Sequence, residues 1–146
     1  MIIREATEAD LAAMVALLAD DPLGRKRETP GDPAYARAFA EMAATPGNTL
    51  LVAEEAGAVI GCLQLLLIPS LSRRGETRAE IEGVRVARSA RGWGVGEALT
   101  RTALDRARAA GCGLAQLTSD RSRADAHRFY ERLGFEATHV GYKLRL

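Results

Sequence analysis

The chain has 146 residues, enough for one domain, residues 1–146, with its own core. Its net charge is +1, which excludes a strong field steering it to nucleic acid or to an anionic membrane surface. Two cysteines, Cys62 and Cys112, make no disulfide framework, and no apolar run approaches the ~20 residues of a membrane helix. A first strand starting at Ile2 leaves no room for a signal peptide, so the cytoplasm is the expected compartment.

In chain order, Ile2 to Glu5 reads as a short strand. Thr7 can cap a first helix with Asp10 at its third position, and Leu11, Met14, Leu17 and Leu18 follow at helical spacing to about Asp20. The polar stretch 21–32, with two prolines and the run Arg25-Lys26-Arg27, reads as a loop. Pro33 suits the start of a second helix, with Tyr35, Phe39 and Met42 on one face. Leu50 to Glu54 and Ala58 to Ile68 read as a hairpin of two strands, and 69–75 as another loop. Thr77 to Val86 is the fourth strand. A helix from Glu97 to about Ala110 buries Leu99, Ala103 and Ala107 and stops at Gly111. Leu114 to Thr118 is a fifth strand, Ala124 to Leu133 a short helix, and His139 to Leu146 alternates as a sixth strand. The expected class is α/β, a mixed sheet of about six strands flanked by four helices.

The stretch Arg91-Gly92-Trp93-Gly94-Val95-Gly96 stands between the fourth strand and the helix after it. Strand, glycine turn and helix start form an anion cradle, because small residues expose amides toward the positive end of the helix dipole. A G-x-G-x-x-G dinucleotide fingerprint fails, since Glu97 and Leu99 stand where the last glycine is needed. A P-loop fails too, because Gly96 is followed by Glu97-Ala98 rather than Lys-Ser or Lys-Thr. The remaining pattern is R-x-x-G-x-G: Arg91, Gly94, Gly96.

With Val84-Arg85-Val86 before it, that pattern resembles the acetyl-CoA-binding motif of the GNAT superfamily of N-acetyltransferases. Ala126-His127-Arg128-Phe129-Tyr130 through Gly134-Phe135 resembles the superfamily's A-x-x-F-Y-x-x-x-G-F segment, in the expected order downstream. The resemblance implies a cofactor cleft where strands four and five splay apart. It implies pantetheine paired along Val84, Arg85 and Val86, and pyrophosphate held by Arg91, Gly92, Trp93, Gly94, Val95, Gly96 and Glu97. His127, on the helix that meets the cofactor, is a candidate hydrogen-bond partner for it or a surface residue. The implied reaction is direct acetyl transfer to the primary amine of a small molecule. A non-catalytic acetyl-CoA sensor or regulatory module is the alternative.

Direct transfer needs a base, a group that polarises the thioester carbonyl and an acid. The strand-four backbone, including the Val84 amide, suits the polarising role. By resemblance Tyr130 is the acid that protonates the thiolate, or else a packing residue. Glu80 and Glu82 share one strand face, and Glu82 lies nearest the implied splay; it is the candidate base, with a solvent-facing pair as the bland reading. Gly83 marks either a bulge or a weak spot in the strand. The chain departs from the family at Arg123, where an Asn commonly contacts pantetheine; Ser119 or Ser122 are possible replacements. His127 and His139 form no ligand cluster, so no metal is expected. The resemblance also implies a homodimer paired through strand edges or the last strand.

Overall fold

The computed structural model describes all 146 residues. The strands are β1 (Ile2–Glu5), β2 (Asn48–Glu55), β3 (Ala58–Ile68), β4 (Arg78–Val86) and β5 (Leu114–Gln116). The helices are α1 (Leu11–Ala19), α2 (Ala34–Ala44), the single turn α3 (Ser72–Gly75), α4 (Val95–Ala109) and α5 (Ala124–Arg132). The strands form one sheet in the order β1-β2-β3-β4-β5, antiparallel except for the parallel pair β4–β5.

Alternation along the strands divides the core between the two faces of the sheet. Leu51, Ala53, Leu63, Leu65, Ala79 and Ile81 point to the face covered by α4, where Val95, Leu99, Ala103 and Ala107 meet them. Val52 and Cys62 point to the other face and meet Met14 of α1. At Gly61 the backbone of β3 comes so close to α4 that an added Cβ would lie 2.9 Å from Val95 and 3.0 Å from Leu99. Only a residue without a side chain lets the helix settle this low on the sheet.

Asp10 anchors the first strand to the first helix. Its carboxylate accepts the Thr7 amide at 2.8 Å and both terminal nitrogens of Arg4, at 2.7 and 2.9 Å. The Arg4 guanidinium thereby holds the Asp10 carboxyl well below the usual carboxylate range.

Several expectations need correction. The capping pair Thr7–Asp10 opens a 3-10 turn, Glu8–Asp10, and the α-helix proper starts one residue later. The stretch 69–75 is not all loop: α3 is one turn whose Arg73 and Arg74 are left-handed, at φ 53° and 61°. With it the helices number five rather than four. Helix α4 begins at Val95, two residues before Glu97, because Gly94 at φ 77° caps it. Strand β5 ends at Gln116, two residues short of Thr118. The sixth strand is absent: residues 139–146 lie exposed with no ladder partner, and alternation without a partner edge makes no strand. No helix is long and apolar enough to cross a membrane.

Candidate active site

The two sides of β4 part company halfway along. Its parallel ladder with β5 spans only Arg78 to Glu80, against Leu114 to Gln116, while β4 itself continues to Val86. From Ile81 onward the strand's outer edge has no strand beside it. On the inner edge, Gln64 of β3 opposes Glu82 and Cys62 opposes Arg85, so two residues of β4, Gly83 and Val84, stand against one of β3. That is a β-bulge, and Gly83 supplies its positive φ of 61°.

The bulge resets the alternation. Before it, Glu80 and Glu82 point to the α1 face. After it, Val84 and Val86 pack against the α4-side core, and Arg85 joins the carboxylates on the α1 side. The Glu80 carboxylate accepts a hydrogen bond from the Gln116 side chain at 2.5 Å. Glu82 is exposed and has no hydrogen-bond or ion-pair partner in the chain.

At the mouth of this opening, the first turn of α4 leaves its amides free. Within the chain no acceptor takes the N–H of Gly94, Val95, Gly96 or Glu97; the first bonded amide is that of Ala98, to the Gly94 carbonyl at 2.9 Å. Gly92 and Gly94 are left-handed, at φ 83° and 77°. Val95 is 2% exposed, so its side chain belongs to the core and only its amide is available. Trp93 is 68% exposed. The Arg91 Nε donates to the Val86 carbonyl at 3.4 Å, which sets its guanidinium beside the end of β4. Glu97 pairs with Arg101 at 2.8 Å along the helix. An added Cβ at Gly96 would find Phe129 and Val86 at 3.5 Å, so α5 seals the start of α4 here.

Helix α5 brings Tyr130 to the same region. Its ring meets Phe129 and Phe135 edge-on, with centroids 5.0 and 5.8 Å apart. Its hydroxyl makes no hydrogen bond within the chain and is not sealed from solvent. Burial raises the phenol's pKa, while the nearby guanidinium groups of Arg123 and Arg85 hold it back. The phenol therefore keeps its proton at neutral pH and has it free to give. His127 is held differently: its Nε2 lies 2.8 Å from the Asp120 carbonyl, so it clasps the β5–α5 loop to its helix. Ser122 is engaged too, its amide and hydroxyl both bonded to the Asp120 carboxylate.

Sequence reasoning missed Asp21. It sits 6% exposed at the end of α1, and its two oxygens lie 3.6 Å from Arg85 and 3.5 Å from Arg123. This one carboxylate links the α1 end, β4 and the start of α5. Its only signal was position: the second of two adjacent acids, Asp20 and Asp21, at the head of a loop that carries Arg25, Lys26 and Arg27. Both Arg residues act on the Tyr130 phenol through their charge, which ties the departure at position 123 to the tuning of that phenol. Cys62, beneath Arg85, has its thiol pushed up to about 11 by burial and is no nucleophile. No group of His, Cys, Asp and Glu is placed to hold a metal ion.

The open edge of β4 and the free amides that start α4 lie together at one split in a mixed sheet, with Tyr130 of α5 near Arg85. Residues 11–135 match the model of the acetyltransferase (GNAT) family, and the chain belongs to that family. It is 49% identical to a transcriptional regulator from Bacillus halodurans C-125, with 99% of each chain covered and a TM-score of 0.96. An acetyltransferase of Trypanosoma brucei superposes with a TM-score of 0.81 at 28% identity, over 99% of both chains. Over 81 residues, 56% of this chain, it is 36% identical to glucosamine 6-phosphate N-acetyltransferase of Trypanosoma brucei brucei. The match spans 53%, about half, of the length of that curated relative.

Proposed function

We propose that the chain moves the acetyl group of acetyl-CoA to the primary amine of a small molecule by direct transfer. The observation that carries this reading is the split after Glu80. There β4 runs on to Val86 with a free outer edge, and Val86 lies 3.5 Å from where a Cβ on Gly96 would stand, in the unbonded first turn of α4. In this reading the backbone of Val84, Arg85 and Val86 pairs with pantetheine. Arg91 and the amides from Gly92 to Glu97 hold the pyrophosphate, with Trp93 lying over it. His127 supports the wall by fixing the Asp120 loop.

Acetyl-CoA supplies an activated acyl group on sulfur. Glu82 receives the amine as an ammonium and takes its proton, directly or through a water. The freed nitrogen bonds to the acyl carbon as the carbon–sulfur bond breaks, and the backbone near Val84 steadies the carbonyl oxygen. Tyr130 gives its proton to the departing sulfur and is restored by the second proton, which the acylated nitrogen sheds through water. Burial keeps the phenol protonated at neutral pH, so it has a proton to give as negative charge develops on the sulfur. A relative named for glucosamine 6-phosphate supports an amine-bearing small molecule as acceptor.

A second reading, an acetyl-CoA-binding regulator without turnover, is favoured by one finding: the relative at 49% identity is a transcriptional regulator. Two measurements separate the readings. Calorimetric titration with acetyl-CoA should show binding in the parent and at least a tenfold loss in Gly94→Val, whose branched side chain enters the cradle at positive φ. Release of CoA thiol should then follow on adding a primary amine, with glucosamine 6-phosphate the first to try. Binding without thiol release across an amine panel supports the regulator, and absence of binding sinks both.

A further inference from the structure

Two guanidinium groups share one carboxylate beside the open half of β4. The oxygens of Asp21 lie 3.6 Å from Arg85 and 3.5 Å from Arg123, longer than a good charged hydrogen bond. Its Oδ2 is also held by its own loop, accepting the Leu23 and Gly24 amides at 3.3 Å each. Arg27, a third cation whose charge reaches Arg85, is paired with Glu28 at 3.1 Å. Two positive charges thus face one negative charge, and one positive charge is left over.

Arg85 is the less satisfied of the two. Its side chain is 13% exposed, and one terminal nitrogen donates to the Val84 carbonyl at 2.9 Å. Its Nε is buried and meets no acceptor. Burial lowers the pKa of this guanidinium, Asp21 offsets that, and the charges of Arg123 and Arg27 lower it further. A buried cation with an idle donor and a second cation nearby destabilises the fold unless an anion completes the group.

The position says which molecule would bring that anion. Arg85 points to the α1 side of the sheet, the same side as Glu82, and a strand rises about 3.3 Å per residue. The two Cα atoms are therefore at most about 10 Å apart. Arg123 stands at the start of α5, the helix that carries Tyr130, and both guanidinium charges act on that phenol. One side of the open half thus presents an unpaired carboxylate and an under-compensated pair of guanidinium groups.

We propose that Arg85 and Arg123 hold an anionic group of the acceptor, a carboxylate or a phosphate, while Glu82 holds its amine. The inference rests on the acetyl-transfer reading and narrows its substrate class to amines that carry an oxyanion. The planar fork of an Arg, Nε included, matches the paired oxygens of either group. Arg123 in place of the family's common Asn supplies the second cation.

Matched amines test it: 4-aminobutyrate against n-butylamine, and glucosamine 6-phosphate against glucosamine. In the parent, the anionic member of at least one pair should have a kcat/KM at least tenfold higher, mainly through KM. A preference in the first pair alone assigns a carboxylate, and in the second alone a phosphate. Arg123, the more exposed of the two arginines, is the one to change. Arg123→Gln should abolish the preference by raising KM for the anionic member, and Arg123→Lys should restore part of it. No preference in either pair overturns the proposal. So does a fall of equal size for both members of a pair, since Arg123 then acts on the phenol or the sulfur instead of the acceptor. If Arg123→Gln fails to fold, Arg85→Lys, which keeps the charge and loses the fork, should cut the preference at least threefold; an undiminished preference overturns the proposal. If no amine releases CoA thiol, the acetyl-transfer reading has failed, and calorimetric titration in the presence of CoA decides the anion site separately. Binding of 4-aminobutyrate or glucosamine 6-phosphate at least tenfold tighter than its neutral partner, and lost in the Arg123→Gln variant, supports the site; its absence overturns it.

Discussion

The two halves of β4 are built to opposite specifications. From Arg78 to Ile81 the strand is laddered to β3 and meets β5 as far as Glu80, with Ala79 and Ile81 at 0% and 2% exposure under α4. From Glu82 to Val86 it has one neighbour, a bulge and an exposed carboxylate. The first half is paired on both edges as far as Glu80 and buries Ala79 and Ile81. The second leaves backbone and side-chain groups to be met from outside. Stability and chemistry thus reside a few residues apart on one strand, and substitutions should separate them.

The largest effect belongs to the buried half. Ile81→Ala should cost about 3 kcal/mol of stability, from lost burial plus the cavity left beside Leu99. Denaturant unfolding reads it, and acetyl-CoA affinity of the folded variant should stay near the parent's. A loss of affinity matching the loss of stability would erase the division. Tyr130→Phe tests the open half from across the split. Turnover should fall about a hundredfold, the scale of a lost general acid, while unfolding barely changes because the hydroxyl has no partner in the chain to lose. Rates within a factor of two of the parent, with chemistry rate-limiting, would reduce Tyr130 to packing.

The carboxylates sharpen the boundary, since Glu80 is the last residue of β4 paired with β5 and Glu82 the first of the free half. Glu82→Gln should move the acidic limb of the kcat/KM profile to higher pH, because the amine must then lose its proton unaided. Glu80→Gln should leave the limb in place, its role being the bond to Gln116. Superimposable profiles for parent and both variants would remove the base from β4. The smallest effect is at the bulge. Gly83→Ala should cost about 1 kcal/mol for placing a Cβ at positive φ, and should raise the KM for acetyl-CoA by shifting Val84 and Arg85. An unchanged KM would show that the bulge is merely tolerated.

What could be read from the sequence followed from how local its cause was. The cradle at 91–96 is local: alternate glycines before a helical run dictate left-handed turns and free amides, whatever lies around them. The stripe Leu99, Ala103, Ala107 fixes the buried face of α4 in the same way. The sixth strand was expected for an equally local reason, alternation, but strand formation is a property of pairs. Alternation from Val140 to Leu146 states what the segment can do, not what edge it meets. Asp21 escaped notice because its significance is entirely long-range, resting on Arg85 and Arg123. The left-handed turn at Arg73 and Arg74 had no signal either, since neither residue favours that conformation. The bulge fell between these cases. Gly83 permitted it, and the register against β3 made it.

Gly61 gives the molecule a form of remote control. It contributes no group to the proposed site, yet it sets the height at which α4 rests, through Val95 and Leu99 at the very start of that helix. Those are the residues next to the free amides. A single methyl added on β3 would act as a shim under the helix, lifting its N-terminal end from the sheet. The cradle's distance from β4 is therefore calibrated from beneath, by a residue that never meets the ligand.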